Sequence, residues 1–466
     1  LTSHIHLIFC FQFKTPNRKL LANGNMPAMQ PVSTLNIWRL TWPTMLSNTL
    51  YMLMGVAFLK MAGTFGTDAV AAVTTGQRLY FVLHAIMMGL CSGTTAMVGR
   101  YWGAKDKVMA GRFAALSVLV FVIDGALLSW IALPFLDQLI GMFSLADKAH
   151  ILAMEFTFWT AVYAPAVLVT LVFNMCFRAV GNATTPLWTA IIGVALSVAL
   201  GGALTFGWAG LPNLGLAGIA IGGGIGITVT IVAFLILWVF GWLSFKPSNP
   251  LPDIVENGKT LIDIGMPAAF EQATFQAGML LFMIFLASYG NAAFAAYGIG
   301  LSILGLIIVI AFSFSISAAT LVSQHLGAND KQGAYNAGWR TMRTCVYLMI
   351  GCSLLMGLFA EEIARFMIDD PEVIRHMVDL TYVLCLSLPF MGVEFSMAGS
   401  LRGAGDTRFP MMVTIFSMLL TRFIMPLLLI KIGADVIWLY GMSLVDFSIK
   451  ASLNMWRFRK KTWLGD

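Results

Sequence analysis

The chain has 466 residues, 59% of them apolar and 11% charged, with a mean hydropathy of +0.83. No water-soluble domain is built on those proportions, so the sequence reads as an all-α protein that crosses a membrane many times. The formal charge of +6 does not point to nucleic acid, because the basic residues gather in short loops and at the C-terminus, where membrane topology accounts for them.

Residues 1–34 differ from everything after them. The apolar stretch 7–13 is too short to span a bilayer, and Pro16, Asn17, Asn23, Gly24 and Asn25 interrupt any regular element. This segment is expected to be a disordered N-terminal extension, whose residues 1–25 precede a candidate start at Met26. Twelve apolar segments follow, at about 37–59, 69–97, 113–135, 151–175, 186–207, 214–243, 260–288, 293–322, 340–360, 374–399, 410–431 and 434–456. Each is long enough for one spanning helix of about 20 residues.

Loop charge sets the expected orientation. Arg100, Lys105, Lys107 and Arg112 follow segment 2, Lys331, Arg340 and Arg343 follow segment 8, and Arg457, Arg459, Lys460 and Lys461 close the chain. Glu361, Glu362, Asp369, Asp370 and Glu372 instead follow segment 9. By the positive-inside rule both termini are cytoplasmic, in agreement with an even number of spans.

The two halves match at one constant offset. Pro43 and Pro267 stand 224 residues apart, and the same shift carries Gly66 onto Gly290, Gly76 onto Gly300, Gly103-Ala104 onto Gly327-Ala328, Asp106 onto Asp330 and Pro165 onto Pro389. It also carries Arg178, Gly181, Asn182 and Pro186 onto Arg402, Gly405, Asp406 and Pro410. Six helices per repeat is an even number, so the repeats enter from the same side and are parallel. The expected organisation is an N-terminal six-helix lobe over 35–243, a linker over 244–258, a C-terminal lobe over 259–458 and a basic tail over 459–466. A cavity between such lobes is the usual substrate site.

One acid stands out. Glu271 lies in the apolar run that opens near Leu261, about 15 Å along a helix and so near the middle of a layer about 30 Å thick. A carboxylate there costs several kcal/mol unless it is protonated, paired or facing water, so it marks an ion or substrate site, or else a buried bond between helices. Gln272 and Gln276, one turn apart, can lend amide oxygens to it, with Na⁺ as a candidate guest. Glu394, eight residues before Arg402, is a second acid. Arg422 is the natural counter-ion for Glu271 or Glu394, or a member of a plain buried ion pair. Asp446 and Lys450, one turn apart, can neutralise each other. Asp124 is a lone acid, His84 reads as a hydrogen-bonded core histidine, and Lys60 and Arg78 snorkel outward.

Arg178 and Arg402 stand at helix ends, where a cation complements the last carbonyls. With Gly181, Gly403, Gly405, Asp406 and the helix prolines Pro43 and Pro267, they read as structural or hinge elements. The Gly-rich run from Gly215 to Gly226 lacks a following Lys-Ser or Lys-Thr and reads as close helix packing. No Walker, H-E-x-x-H or G-x-S-x-G motif occurs, so neither ATP-driven transport nor an enzyme is indicated. The six cysteines form no C-x-x-C pair.

Over about residues 35–458 the sequence resembles the multidrug and toxic compound extrusion (MATE) family. The resemblance rests on the proline-led segments 1 and 7, on GAKDK and GANDK, and above all on LRGAGDTRFP at 401–410 with its echo FRAVGNATTP at 177–186. It implies a twelve-helix antiporter of two six-helix bundles in the bacterial inner membrane, expelling small organic cations in exchange for H⁺ or Na⁺. It implies no cofactor beyond that coupling ion, no nucleic-acid partner, contact with membrane lipid, and a monomer. Family members carry acids in helices 1 and 5, but the matching positions here are Phe58, Ser197 and Gly201. That puts ion coupling through the N-terminal lobe in doubt. A flippase for lipid-linked precursors is the alternative, and would need a cationic cavity where the candidates here are mainly acidic; a channel is the third reading.

Overall fold

The structure, a computed structural model, describes residues 37–143, 145–241 and 246–464. The expected N-terminal extension lies outside the described residues. The first half contains α1 (Ile37–Gly63), α2 (Thr67–Gly103), α3 (Lys107–Gly141), α4 (Asp147–Val162 and Ala164–Ala179), α5 (Thr184–Phe206) and α6 (Gly215–Val239). The second contains α7 (Ile254–Ala287), α8 (Asn291–Gly327), α9 (Lys331–Leu358), α10 (Pro371–Gly403), α11 (Arg408–Lys431) and α12 (Val436–Arg459). A short helix, Ala360–Met367, lies between α9 and α10. Among the described residues, eleven helices are long and apolar enough to cross a membrane, and the pair that forms α4, bent by 49°, brings the number to twelve when counted as one span.

The repeat is written into the backbone. Gly66 and Gly290 have φ of 97° and 106°, Lys105 and Asn329 have 60° and 57°, and Gly181 and Gly405 both have 88°. Asp106 and Asp330 cap α3 and α9, accepting from the backbone N–H of Met109 at 3.0 Å and of Gly333 at 2.7 Å. The Gly-rich run of α6 packs against α5, where a Cβ on Gly222 would stand 2.5 Å from the Cα of Gly201.

A proline inside a helix removes the N–H that would bond the carbonyl four residues earlier. Pro165 frees Ala161 in this way, and Ser129 on α3 donates to that carbonyl at 2.6 Å. Pro389 frees Cys385, and Ser353 on α9 donates to it at 2.8 Å. Ser129 and Ser353 are themselves 224 residues apart. Ser353→Ala is expected to leave a carbonyl unpaired and cost about 1–3 kcal/mol, while Ser353→Thr keeps the bond; thermal unfolding of the two variants in detergent checks this.

Regular structure occupies part of the expected linker and of the expected tail. The end of the expected linker is already helical, since α7 begins at Ile254 after Asp253 in a left-handed conformation (φ 58°). The described part of the tail, to Leu464, packs on α9 and α12. Helix α12 runs through Arg459, Trp463 stacks on Phe458 with ring centres 4.6 Å apart, and its Nε1 donates to the Phe458 carbonyl at 2.8 Å. Lys461 lies 4.4 Å over the Tyr335 ring. Burial of an indole outweighs the repulsion among the tail's basic residues.

Candidate substrate and ion site

Glu271 sits one turn beyond Pro267 on α7 and is 4% exposed. Arg402, in the last turn of α10, grips it with two bonds, Nη2 to Oε1 at 2.6 Å and Nε to Oε2 at 3.3 Å. Thr414 on α11 donates to Oε1 at 3.4 Å, and Arg402 Nη1 donates to Ser315 Oγ on α8 at 3.3 Å. Four helices therefore meet at one forked, charge-assisted pair. Gly403 lets α10 approach α8 closely enough, since a Cβ there would fall 2.3 Å from the Ala319 carbonyl oxygen.

Arg402, read as a helix-end or hinge residue, does stand in the last turn of α10, and it is also the counter-ion of Glu271. The carboxylate lies within one arginine side chain of the end of α10.

Arg422 does not pair with Glu271. Its Nη2 lies 3.8 Å from Asp446 Oδ2, its fork reaches Ser443 Oγ at 3.4 Å, and its guanidinium lies 4.4 Å over the Phe282 ring. Pro426, four residues later, removes the N–H that would bond the Arg422 carbonyl, and the helix opens into a π turn over Leu420–Ile424. Asp446 also receives Lys450 Nζ at 3.1 Å and Ser417 Oγ at 2.6 Å. Glu394 is 7% exposed, and its Oε2 has no hydrogen-bond partner. Gln272 and Gln276 are half-buried on α7, and neither bonds the Glu271 carboxylate.

The interior of the second half is therefore balanced. Buried Glu271, Glu394 and Asp446 face buried Arg402, Arg422 and Lys450, so the expectation of a mainly acidic site does not hold. In the first half Phe58, Ser197 and Gly201 do come together. The Phe58 ring would stand 3.5 Å from a Cβ on Gly201, and Ser197 donates to the Gly223 carbonyl at 3.0 Å. An aromatic ring fills the place where the resemblance would put acids. Asp124 is half-buried on α3, Lys60 and Arg78 are exposed, and His84 Nδ1 is 3.3 Å from the Tyr80 hydroxyl.

The halves meet around a small cavity bordered by Cys91, Thr95 and Met175 on one side and Ser315, Ala319 and Arg402 on the other. At the end bearing the basic loops they close on each other through α2 and α8. A Cβ on Gly103 would fall 2.0 Å from the Gln324 carbonyl oxygen, and one on Gly327 would fall 1.8 Å from that of Arg100. Arg100 Nη2 donates across to the Ala404 carbonyl at 3.3 Å, and Gln324 Nε2 to the Ala179 carbonyl at 2.6 Å. Sequence reasoning found Gly103 and Gly327 as repeat partners but not as a seal; the signal was that both stand at helix ends on the same side.

Two six-helix bundles closed at one end around a small cavity define a membrane transporter. The MatE family model matches residues 43–202 and 267–428, and the chain belongs to that family. The probable multidrug resistance protein NorM of Thermotoga maritima is 25% identical over 439 residues, covering 91% of this chain and 92% of that one. The FAD transporter of Shewanella oneidensis is 22% identical over 362 residues, covering 75% and 78%. An outward-facing multidrug resistance MATE transporter of the MOP superfamily shares the fold, with a TM-score of 0.84 at 18% identity over 94% of this chain and 100% of that one.

Proposed function

We propose that the chain is a secondary antiporter of the bacterial inner membrane that exports small organic compounds, organic cations among them, in exchange for H⁺ or Na⁺. Its termini are cytoplasmic, and the lobes rock about the inter-lobe cavity as monomers. The supporting observation is the Glu271–Arg402 pair, a buried carboxylate whose counter-ion itself borders that cavity. Protonation of Glu271 frees Arg402, and a cationic substrate competes for the same carboxylate, so one charge couples the two fluxes. Both carboxylate oxygens already accept bonds and neither neighbouring amide joins them, which favours H⁺ over Na⁺ at this site. The unpartnered oxygen of Glu394 supports a second reading, in which that residue carries the proton.

Ethidium efflux from proteoliposomes under an imposed pH gradient, and separately under a Na⁺ gradient, tests both. Glu271→Gln is expected to reduce ion-coupled efflux at least tenfold. Full efflux and coupling in Glu271→Gln, with loss in Glu394→Gln, would move the role to Glu394. Full coupling in both variants would sink the carboxylate mechanism.

A further inference from the structure

The offset that carries Arg402 onto Arg178 carries Glu271 onto Ser47. The Ser47 hydroxyl donates to the Pro43 carbonyl at 2.5 Å, so the first half keeps the guanidinium without the acid. Arg178 is 3% exposed, and among the described residues it makes neither an ion pair nor a hydrogen bond; its Nε is buried without an acceptor. One turn earlier on α4, Asn174 is 4% exposed; its side chain hydrogen-bonds Tyr51, and its Oδ1 is unpartnered. The titratable neighbours that act on the guanidinium are Tyr51 and Cys91, side chain types that are ordinarily uncharged near pH 7.

A buried charge without a partner is costly, and the dipole at the end of α4 offsets only part of that cost. The second half shows what a resident carboxylate does for the equivalent arginine. Arg178 and Asn174 do not themselves border the inter-lobe cavity, but Cys91, which acts on Arg178, and Met175, next to Asn174 in the chain, do, and Arg402 stands on the opposite wall. No carboxylate borders that cavity among the described residues. The one charged residue that borders it, Arg402, is paired with Glu271, so the guanidinium without a carboxylate is that of Arg178, beside Cys91.

We propose that Arg178 and Asn174 form an anion-binding site at this cavity, which holds the carboxylate or phosphate of a small organic compound during its passage. A guanidinium fork matches either group with two parallel N–H···O bonds, and the Asn174 amide, which bonds Tyr51 in this structure, is the donor one turn away that would exchange that bond for one to the anion. The proposal rests on the transport reading above and adds an anionic substrate class to it.

The test uses the full chain in detergent and in proteoliposomes, with carboxyfluorescein as the carboxylate probe, 4-methylumbelliferyl phosphate as the phosphate probe, and inorganic phosphate alone. At least one organic probe is expected to bind saturably and to be transported. In Arg178→Gln its affinity falls at least tenfold, as does the ratio of its transport to ethidium efflux, and the unliganded thermal midpoint does not fall. Arg178→Lys retains part of the affinity, and Asn174→Leu lowers it about threefold, so the outcome does not hang on one variant folding. Saturable binding by neither organic probe, equal binding by Arg178→Gln, or binding of inorganic phosphate only would overturn the proposal. Failure of wild-type ethidium efflux to depend on any ion gradient would instead count against the antiport reading, since binding in detergent is measured apart from it.

Discussion

Replacing Gly327 with alanine is expected to open the end of the transporter that bears the basic loops. The added Cβ would stand 1.8 Å from the Arg100 carbonyl oxygen and 3.0 Å from the Ala104 nitrogen. Both obstacles are backbone atoms, so no side-chain rotation relieves the clash, and α2 and α8 must separate. That separation also pulls on the Gln324 and Arg100 bonds across the interface. Interior packing tolerates overfilling poorly, at about 1–3 kcal/mol for one excess methyl group, which shifts a two-state equilibrium by roughly five- to a hundredfold. The closed basic end becomes the minor state. Cys91, 1% exposed and bordering the cavity, reports this directly. Its labelling by a maleimide, located by mass spectrometry, is expected to rise at least tenfold, while ethidium efflux falls by a similar factor. Gly103→Ala should act alike, because the repeat places it against Gln324 in the same way. Gly351→Ala, where a Cβ meets nothing within 4 Å, should change neither. Unaltered Cys91 labelling in both seal variants would remove the seal from the mechanism.

What the sequence made legible was local. Apolar length marks a span, and glycine and proline mark turns and helix starts, so the twelve helices and the offset of 224 could be read directly. Glu271 was legible because an acid in an apolar run is costly wherever the chain goes. Its partner was not, since Arg402 is 131 residues away and reaches inward only because Gly403 lets α10 close on α8. The π turn that presents Arg422 had a signal in Pro426, but which acid Arg422 meets depends on the packing of α11 against α12. Ser129 and Ser353 obey the same offset as the prolines they serve, and were missed because serine in a helix has many uses.

Removing one partner of the Glu271–Arg402 pair is expected to cost far more than removing both. Glu271→Gln strands a guanidinium that is 9% exposed, and Arg402→Met strands a carboxylate that is 4% exposed. Each single variant should lose about 3–5 kcal/mol, because an uncompensated buried charge remains. The double variant leaves no charge to solvate and keeps much of the side-chain volume, so it should recover most of that loss, with a coupling energy of about 2 kcal/mol or more. Thermal or denaturant unfolding in detergent measures the cycle, and ethidium efflux is followed in the same four proteins. A purely structural pair would regain efflux in the double variant along with stability. A coupling pair regains stability alone, because the uncharged site offers nothing for which a proton and a substrate can compete. Recovery of gradient-driven efflux together with stability would therefore count against Glu271 as the coupling carboxylate, and would leave the unpartnered oxygen of Glu394 as the remaining candidate.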